Sequence, residues 1–289
     1  VIGLLLIMFG GDRFVDAAVE ISRKLGIPQL VVGATIVSLG TTLPEILVST
    51  TAALQGSSDI AAGNAFGSII CNTALIAAVG QLVRPTKNAE AKTFRWRIVY
   101  FVLFALFLMA DAAVKGRFGR VYALISIRSA EEEEQEEGIK PDGGFVRPLV
   151  TLVVCAALLF EGANLLVDNG ILLAQALHVP ERVIAVTFIA LGTSLPELVT
   201  AINALIKGYE DVSLGNIIGA NLLNLLLVIG IPAAIRGIPV TPQVASVDIP
   251  LGIGVMLLLA VPILVKKRGY RWQGALLLVI YGAYCVIQL

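Results

Sequence analysis

Residues Gly40 to Asn72 read GTTLPEILVSTTAALQGSSDIAAGNAFGSIICN, and residues Gly192 to Asn224 read GTSLPELVTAINALIKGYEDVSLGNIIGANLLN. The offset is 152 residues with no gap, and 12 of the 33 aligned positions are identical. Each copy sets one glutamate, Glu45 or Glu197, inside an otherwise apolar segment. The period is far too long for a solenoid or propeller. Two large copies define a pseudo-symmetric chain whose chemistry sits where the copies meet. Pro28 and Pro180 match at the same offset, as do Asp16 and Asp168, so the repeat extends over whole halves.

The surrounding sequence is hydrophobic at 57% of positions and charged at only 15%, with a mean hydropathy of +0.89. A soluble domain with so few charges would lack a water-facing surface. The composition therefore argues for a polytopic membrane protein, and the long apolar segments make its expected class all-α. Zero net charge and the lack of a basic field argue against nucleic acid as a partner. Cys71, Cys155 and Cys285 lie in apolar segments without metal-site or disulfide spacing and read as small apolar side chains. His178 is the only histidine and falls in a predicted loop. No enzyme-like constellation emerges. Asp111 and Asp248 read as interfacial residues near helix ends, and Glu161 interrupts an apolar run without a matching acid, since its counterpart is Phe9.

The apolar segments predict ten transmembrane helices. The first half, residues 1–127, holds segments Val1 to about Leu25, Gln29 to about Leu54, Asp59 to about Leu82, a fourth ending near Ala113 after a basic loop from Arg84 to Arg97, and a fifth starting near Gly119. The fifth has an apolar run of only Val121 to Ile127, short of the about 20 residues a spanning helix needs. Residues are expected to be missing near Leu124 to Arg128, or else this helix does not span. Residues 128–144 form an acidic linker, and 145–289 repeat the plan. Its segments are Phe145 to about Leu177, Pro180 to about Ile206, Asp211 to about Ile235, Val244 to about Val265, and Trp272 to Leu289.

Five helices per half is an odd number, so the second half enters the membrane from the opposite face: two inverted-topology repeats. The loops that follow odd-numbered segments carry 15 Lys and Arg against five in the opposite loops. The positive-inside bias then puts both termini outside and the 128–144 linker in the cytoplasm.

A charged side chain at the bilayer centre costs about 2.5–3.5 kcal/mol even on insertion scales. Two glutamates at equivalent depths therefore ask for a compensating cation. Protonation, or satisfaction by a backbone donor, would also answer the charge, but it leaves the repeated Gly-Thr, Leu-Pro and Asn positions unexplained. Thr41 and Glu45 share a helix face, as do Thr193 and Glu197, four residues apart. Pro44 and Pro196 remove backbone donors and are expected to free carbonyls upstream, around Ser38, Leu39, Ala190 and Leu191. Asn64, Ser68 and Asn72 align on one face of the third segment, and Asn216 and Asn224 on one face of the eighth. These amides serve either interhelical hydrogen bonds or cation coordination. The predicted cavity offers carboxylates, hydroxyls, amide oxygens and carbonyls, with no thiol or imidazole. Such a set suits hard cations such as Ca²⁺ or Na⁺.

The paired GT[TS]LPE and GN-x-x-G-[SA]-x-x-x-N motifs resemble the two alpha-repeats of the cation/calcium exchanger superfamily, and among its branches the prokaryotic sodium/calcium exchangers. The resemblance implies a core of segments 2, 3, 7 and 8, against which segments 1 and 6 slide. It also implies a secondary active antiporter that exchanges Na⁺ for Ca²⁺ by alternating access in a prokaryotic-type plasma membrane, with no cofactor. It carries ion ligation over to Thr41, Glu45, Ser68, Asn72, Thr193, Glu197 and Asn224, with the carbonyls of Ser38 and Ala190. Thr42, Ser194, Asn64 and Asn216 adjoin them. Two positions depart from the family pattern. Ala220 stands opposite Ser68, and Asn224 stands where some relatives carry Asp, which favours exchange without K⁺. The alternatives are an H⁺- or K⁺-coupled cation exchanger and a cation channel.

Overall fold

The computed structural model describes residues 2–55, 59–87, 91–118, 125, 146–176 and 190–288. Helix α1 spans Ile2–Leu25 and stops where Gly26 takes φ +66°. A left-handed residue there ends a helix, and Pro28 cannot continue it. Helix α2 starts at once as Gln29–Val32, widens into a π-helical turn over Gly33–Val37, and runs on as Ser38–Leu54. Helix α3 is Asp59–Cys71, followed by a π-helical turn at Asn72–Ala77 and a last piece at Ala78–Val83. Helices α4 and α5 are Ala91–Lys115 and Val146–Ala176.

A short piece, Ala190–Thr193, precedes α6 at Leu195–Ile206. Helix α7 mirrors α3: Glu210–Leu223, a π-helical turn at Asn224–Ile229, then Gly230–Ile235. Helix α8 opens with a π-helical turn, Val244–Asp248, and continues as Ile249–Lys266; α9 is Arg271–Gln288. Among the described residues, five helices are long and apolar enough to cross a membrane: Gln29–Leu54, Ala61–Val83, Val146–Leu165, Glu210–Ile235 and Val244–Lys266. Apart from Ile125, the fifth predicted segment lies outside the described residues. So do the acidic linker, His178 and the start of the seventh segment.

One apolar cluster joins α3, α4, α7, α8 and α9 around Phe66, Phe94, Phe101 and Met256. A second joins α1, α2, α5 and α6 around Phe14, Val32 and Leu159. The two meet where α2 crosses α7. A Cβ on Gly33 would lie 3.0 Å from Val212 Cα, and one on Gly219 only 2.5 Å from Ser38 Oγ. The absence of side chains at these positions is what lets the two backbones touch.

Two short pairings tie the helix ends. Strand β1, Arg117–Phe118, pairs antiparallel with β2, Ile238–Pro239, and Lys87 bridges Arg268. Lys87 and Pro239 are repeat equivalents, 152 residues apart. Yet Lys87 precedes α4 and the partner of Pro239, Arg117, follows it. The two equivalent connections thus sit at opposite ends of a 25-residue helix, roughly 37 Å long.

The broken turns differ from the expectation. Pro44 lies within the unbroken stretch Ser38–Leu54, and the irregular turn of α2 falls earlier, at Gly33–Val37. There Arg97 Nη1 donates to the Ala34 carbonyl at 2.7 Å, and Thr35 Oγ1 donates to the Val31 carbonyl at 2.8 Å. In the second half the interruption is Ser194 (φ −89°, ψ 8°), directly before Leu195 and Pro196 open α6. Proline at a helix start loses no hydrogen bond, so the break is placed where it costs least. Arg97 is likewise not part of a loop: it lies inside α4 and is buried. Asp111 and Asp248 are buried too, with Asp248 accepting from Tyr284 Oη at 3.2 Å. Glu161 is exposed on α5.

Candidate cation site

Helices α2, α3, α6 and α7 bring the two glutamates into one buried polar cluster. Glu45 and Glu197 are both 0% exposed. Each is held by a hydroxyl from the other repeat. Thr42 Oγ1 donates to Glu197 Oε1 at 3.3 Å, and Ser194 Oγ donates to Glu45 Oε1 at 3.5 Å. Thr42 and Ser194 are repeat equivalents, each three residues before its own glutamate. This reciprocal arrangement requires the two carboxylates to lie close to each other. Ser68 Oγ adds a second donor to Glu45 Oε1 at 3.5 Å. Its counterpart is Ala220, so Glu197 has no matching serine.

A further network braces the crossing. Thr41 Oγ1 donates to Asn216 Oδ1 at 3.1 Å and to the Ser38 carbonyl at 3.3 Å. Asn216 Nδ2 donates to Thr200 Oγ1 at 3.1 Å. Asn64 Nδ2 reaches the Glu45 carbonyl at 3.2 Å and Ser49 Oγ at 2.9 Å. Asn64 and Asn216 thus tie α3 to α2 and α7 to both α2 and α6. They act as struts for the residues that carry the carboxylates.

The remaining predicted residues show a different pattern. Asn72 and Asn224 are 0% exposed, and each is the first residue of a π-helical turn. Neither amide has a hydrogen-bond partner for its oxygen or its nitrogen among the described residues. The same holds for Thr193 Oγ1, Glu45 Oε2 and Glu197 Oε2. A buried polar atom without a partner costs about 1–3 kcal/mol, so native interiors rarely keep several together. Five predicted residues keep seven such atoms here. Five of the seven are oxygens, the donor chemistry of a hard cation. Ser38 is buried, with its carbonyl facing Thr41. Ala190 is described only as the first residue of its short helical piece. Among the described residues there is no cluster of three or more His, Cys, Asp or Glu. The three cysteines are free, with Cys71 and Cys155 buried.

Sequence reasoning passed over four contributors. Thr200 and Ser49 complete the struts, and Asn221 Nδ2 donates to Thr73 Oγ1 at 2.7 Å, joining α7 to α3. A polar side chain in an apolar helix was the available signal for Asn221. Thr200 and Ser49 had none, because small hydroxyls are common on such helices.

An interrupted helical core with paired buried carboxylates and unpartnered oxygens defines a transporter for cations rather than an enzyme. The family described as sodium/calcium exchanger protein matches residues 1–128 and 147–289, and the chain belongs to it. It is similar to the sodium/calcium exchanger MaX1 of Methanosarcina acetivorans, 29% identical over 99% of this chain and 96% of the relative. It is 34% identical to the inner membrane protein YrbG of Escherichia coli, over 86% of this chain and 82% of the relative. Among solved structures it resembles the sodium–calcium exchanger NCX_Mj soaked with 100 mM Na⁺ and 10 mM Sr²⁺. The TM-score is 0.87 at 28% identity, covering 100% of this chain and 96% of that one.

Proposed function

We propose that this chain is a sodium-driven calcium antiporter of a prokaryotic plasma membrane, in which Ca²⁺ and Na⁺ compete for the Glu45–Glu197 cluster. The observation that carries this reading is the set of unpartnered buried oxygens on Glu45, Glu197, Thr193, Asn72 and Asn224. Two carboxylates balance the two charges of Ca²⁺. Without a cation they repel each other in a low-dielectric interior. The ligands are Glu45, Glu197, Asn72, Asn224, Thr41, Thr193 and Ser68, with the carbonyls of Ser38 and Ala190. Thr42 and Ser194 act by holding the carboxylates, and Asn64 and Asn216 by bracing them.

In the same reading the chain has ten transmembrane helices in two inverted halves, 1–127 and 145–289. Their termini face outside, and the 128–144 linker faces the cytoplasm. Inversion is supported by the placement of Lys87 and Pro239, equivalent connections at opposite ends of α4. The test is calcium uptake by vesicles containing the purified chain. Uptake should require an outward Na⁺ gradient, persist without K⁺, and vanish in Glu45→Gln and Glu197→Gln. Full uptake driven by a pH gradient alone would refute Na⁺ coupling. Retained uptake in either glutamine variant would remove the glutamates from the ion path.

A further inference from the structure

Helices α1 and α5 contact each other symmetrically. A Cβ on Gly10 of α1 would lie 3.1 Å from Leu158 Cβ, and one on its repeat equivalent Gly162 would lie 2.8 Å from Ile7 Cγ1. Against the other helices the symmetry breaks. Gly11 of α1 sits tight on α6, where an added Cβ would lie 2.6 Å from Val199 Cγ1 and 2.7 Å from Asn203 Nδ2. The equivalent of Val199 on α2 is Leu47, and Leu47 lines an apolar cavity of 730 Å³ between α2 and α5 with Leu43, Leu149 and Val153. One interface is shut and its repeat equivalent gapes. A displacement of the α1–α5 pair as a unit produces this result. Looser packing in general would open both.

The shut interface carries an ion cluster. Lys207, just past α6, places Nζ 2.7 Å from Asp12 Oδ1 and 2.7 Å from Asp16 Oδ1 of α1. It also donates to the Asp12 carbonyl at 2.7 Å. The repeat equivalents of Lys207, Asp12 and Asp16 are Gln55, Asn164 and Asp168. The opposite arrangement, with α5 shut on α2, would therefore bring together a glutamine, an asparagine and one aspartate, with no cation among them.

We infer that Lys207, Asp12 and Asp16 form a one-sided ionic latch that sets which face of the transporter rests open. The inference rests on the antiport reading above, in which two such arrangements alternate. The latch stabilises the arrangement in which α1 closes on α6 and contributes nothing to its mirror image. The pairs are partly exposed, with side-chain exposures of 22% for Lys207 and 50% and 51% for the aspartates. Ion pairs of this kind shift a two-state equilibrium by up to about fivefold.

The test is a distance measurement between spin labels at Leu54 on α2 and Leu172 on α5, both exposed. It uses the full chain in lipid vesicles with the three native cysteines replaced by alanine. Lys207→Gln should raise the population of the minor distance about fivefold. Asp12→Asn combined with Asp16→Asn should do the same. Exchanging the charges, Lys207→Asp with Asp12→Lys and Asp16→Lys, should restore the original distribution. Building the missing mirror latch, Gln55→Lys with Asn164→Asp, should also raise the minor population while leaving Lys207 in place. An unchanged distribution in Lys207→Gln overturns the latch, as does a fall in thermal stability without redistribution. The labels report without transport. Redistribution in a chain that fails to exchange Na⁺ for Ca²⁺ would count against the antiport reading and not against the latch.

Discussion

Gly219→Ala tests whether the α2–α7 crossing positions the cation site. The new methyl would lie 2.5 Å from Ser38 Oγ and 2.6 Å from the Ala34 carbonyl carbon, whereas ordinary contact begins at 3.4 Å. Ser38 Oγ can rotate away, but the Ala34 backbone cannot, because Arg97 Nη1 holds its oxygen at 2.7 Å. The helices must separate by about 1 Å, an overpacking strain of about 1–3 kcal/mol. The same separation stretches the Thr41–Asn216 hydrogen bond, now 3.1 Å, beyond hydrogen-bonding range. It also moves the Ser38 carbonyl away from α7. The variant should melt at a lower temperature than the parent and bind Ca²⁺ at least about tenfold more weakly, a loss of about 1.4 kcal/mol. Thermal unfolding of the purified chain with and without Ca²⁺, together with calorimetric titration, would measure both. Calcium affinity equal to that of the parent would refute the claim that this crossing sets the site geometry, whatever happens to the melting temperature.

Further outcomes follow from the same geometry. Thr42→Val and Ser194→Ala each remove one hydroxyl donor to a carboxylate. Hydrogen bonds to charged groups contribute about 1.5–3 kcal/mol. The lengths of 3.3 and 3.5 Å put these at the weak end, so each variant should lose about tenfold in calcium affinity by titration. Asn224→Leu replaces two unpartnered buried amide atoms with apolar surface. In Na⁺- and Ca²⁺-free buffer it should raise thermal stability by about 1 kcal/mol or more while abolishing uptake, and a loss of stability would show that the amide is structural. Calcium at about 100 times its dissociation constant should stabilise the parent by about 2.7 kcal/mol. Glu45→Gln and Glu197→Gln should lose that stabilisation in the same melting assay.

The parts of the fold that were legible are those written as composition at fixed spacing. A glutamate in an apolar helix, repeated at 152 residues, marks itself without any structure, and the helix bounds follow from where the apolar runs meet Pro, Gly and charge. The π-helical turns at Asn72 and Asn224 were not legible. Such a turn adds one residue to the hydrogen-bond ladder of a helix that is otherwise unchanged, so no residue type announces it. The reciprocal hold of Thr42 on Glu197 and Ser194 on Glu45 was hidden for another reason. The partners lie 155 and 149 residues apart, and within its own segment each hydroxyl looks like a neighbour of the nearer glutamate. Arg97 read as loop because basic residues precede it, yet its guanidinium finds the carbonyl of an irregular turn in another helix.

The distribution of unpartnered atoms explains why this site would couple two ions rather than leak one. Asn216 bonds to Thr41 and Thr200, and Asn64 bonds to Ser49 and the Glu45 carbonyl, so these two amides brace α2, α3, α6 and α7 against one another. The proposed ligands Asn72, Thr193 and Asn224, with the outer oxygens of Glu45 and Glu197, are left unsatisfied within that rigid frame. A hydrogen-bonded frame resists the collapse that would pair them, so the unmet polarity of their oxygens would persist until a cation arrives. Each such atom costs about 1–3 kcal/mol when removed from water. With these residues as ligands, closing over the site would depend on an ion being present, and one load would leave only where another replaces it. The frame does not specify which hard cation satisfies the oxygens, and this is the property that Na⁺–Ca²⁺ exchange requires of a shared site.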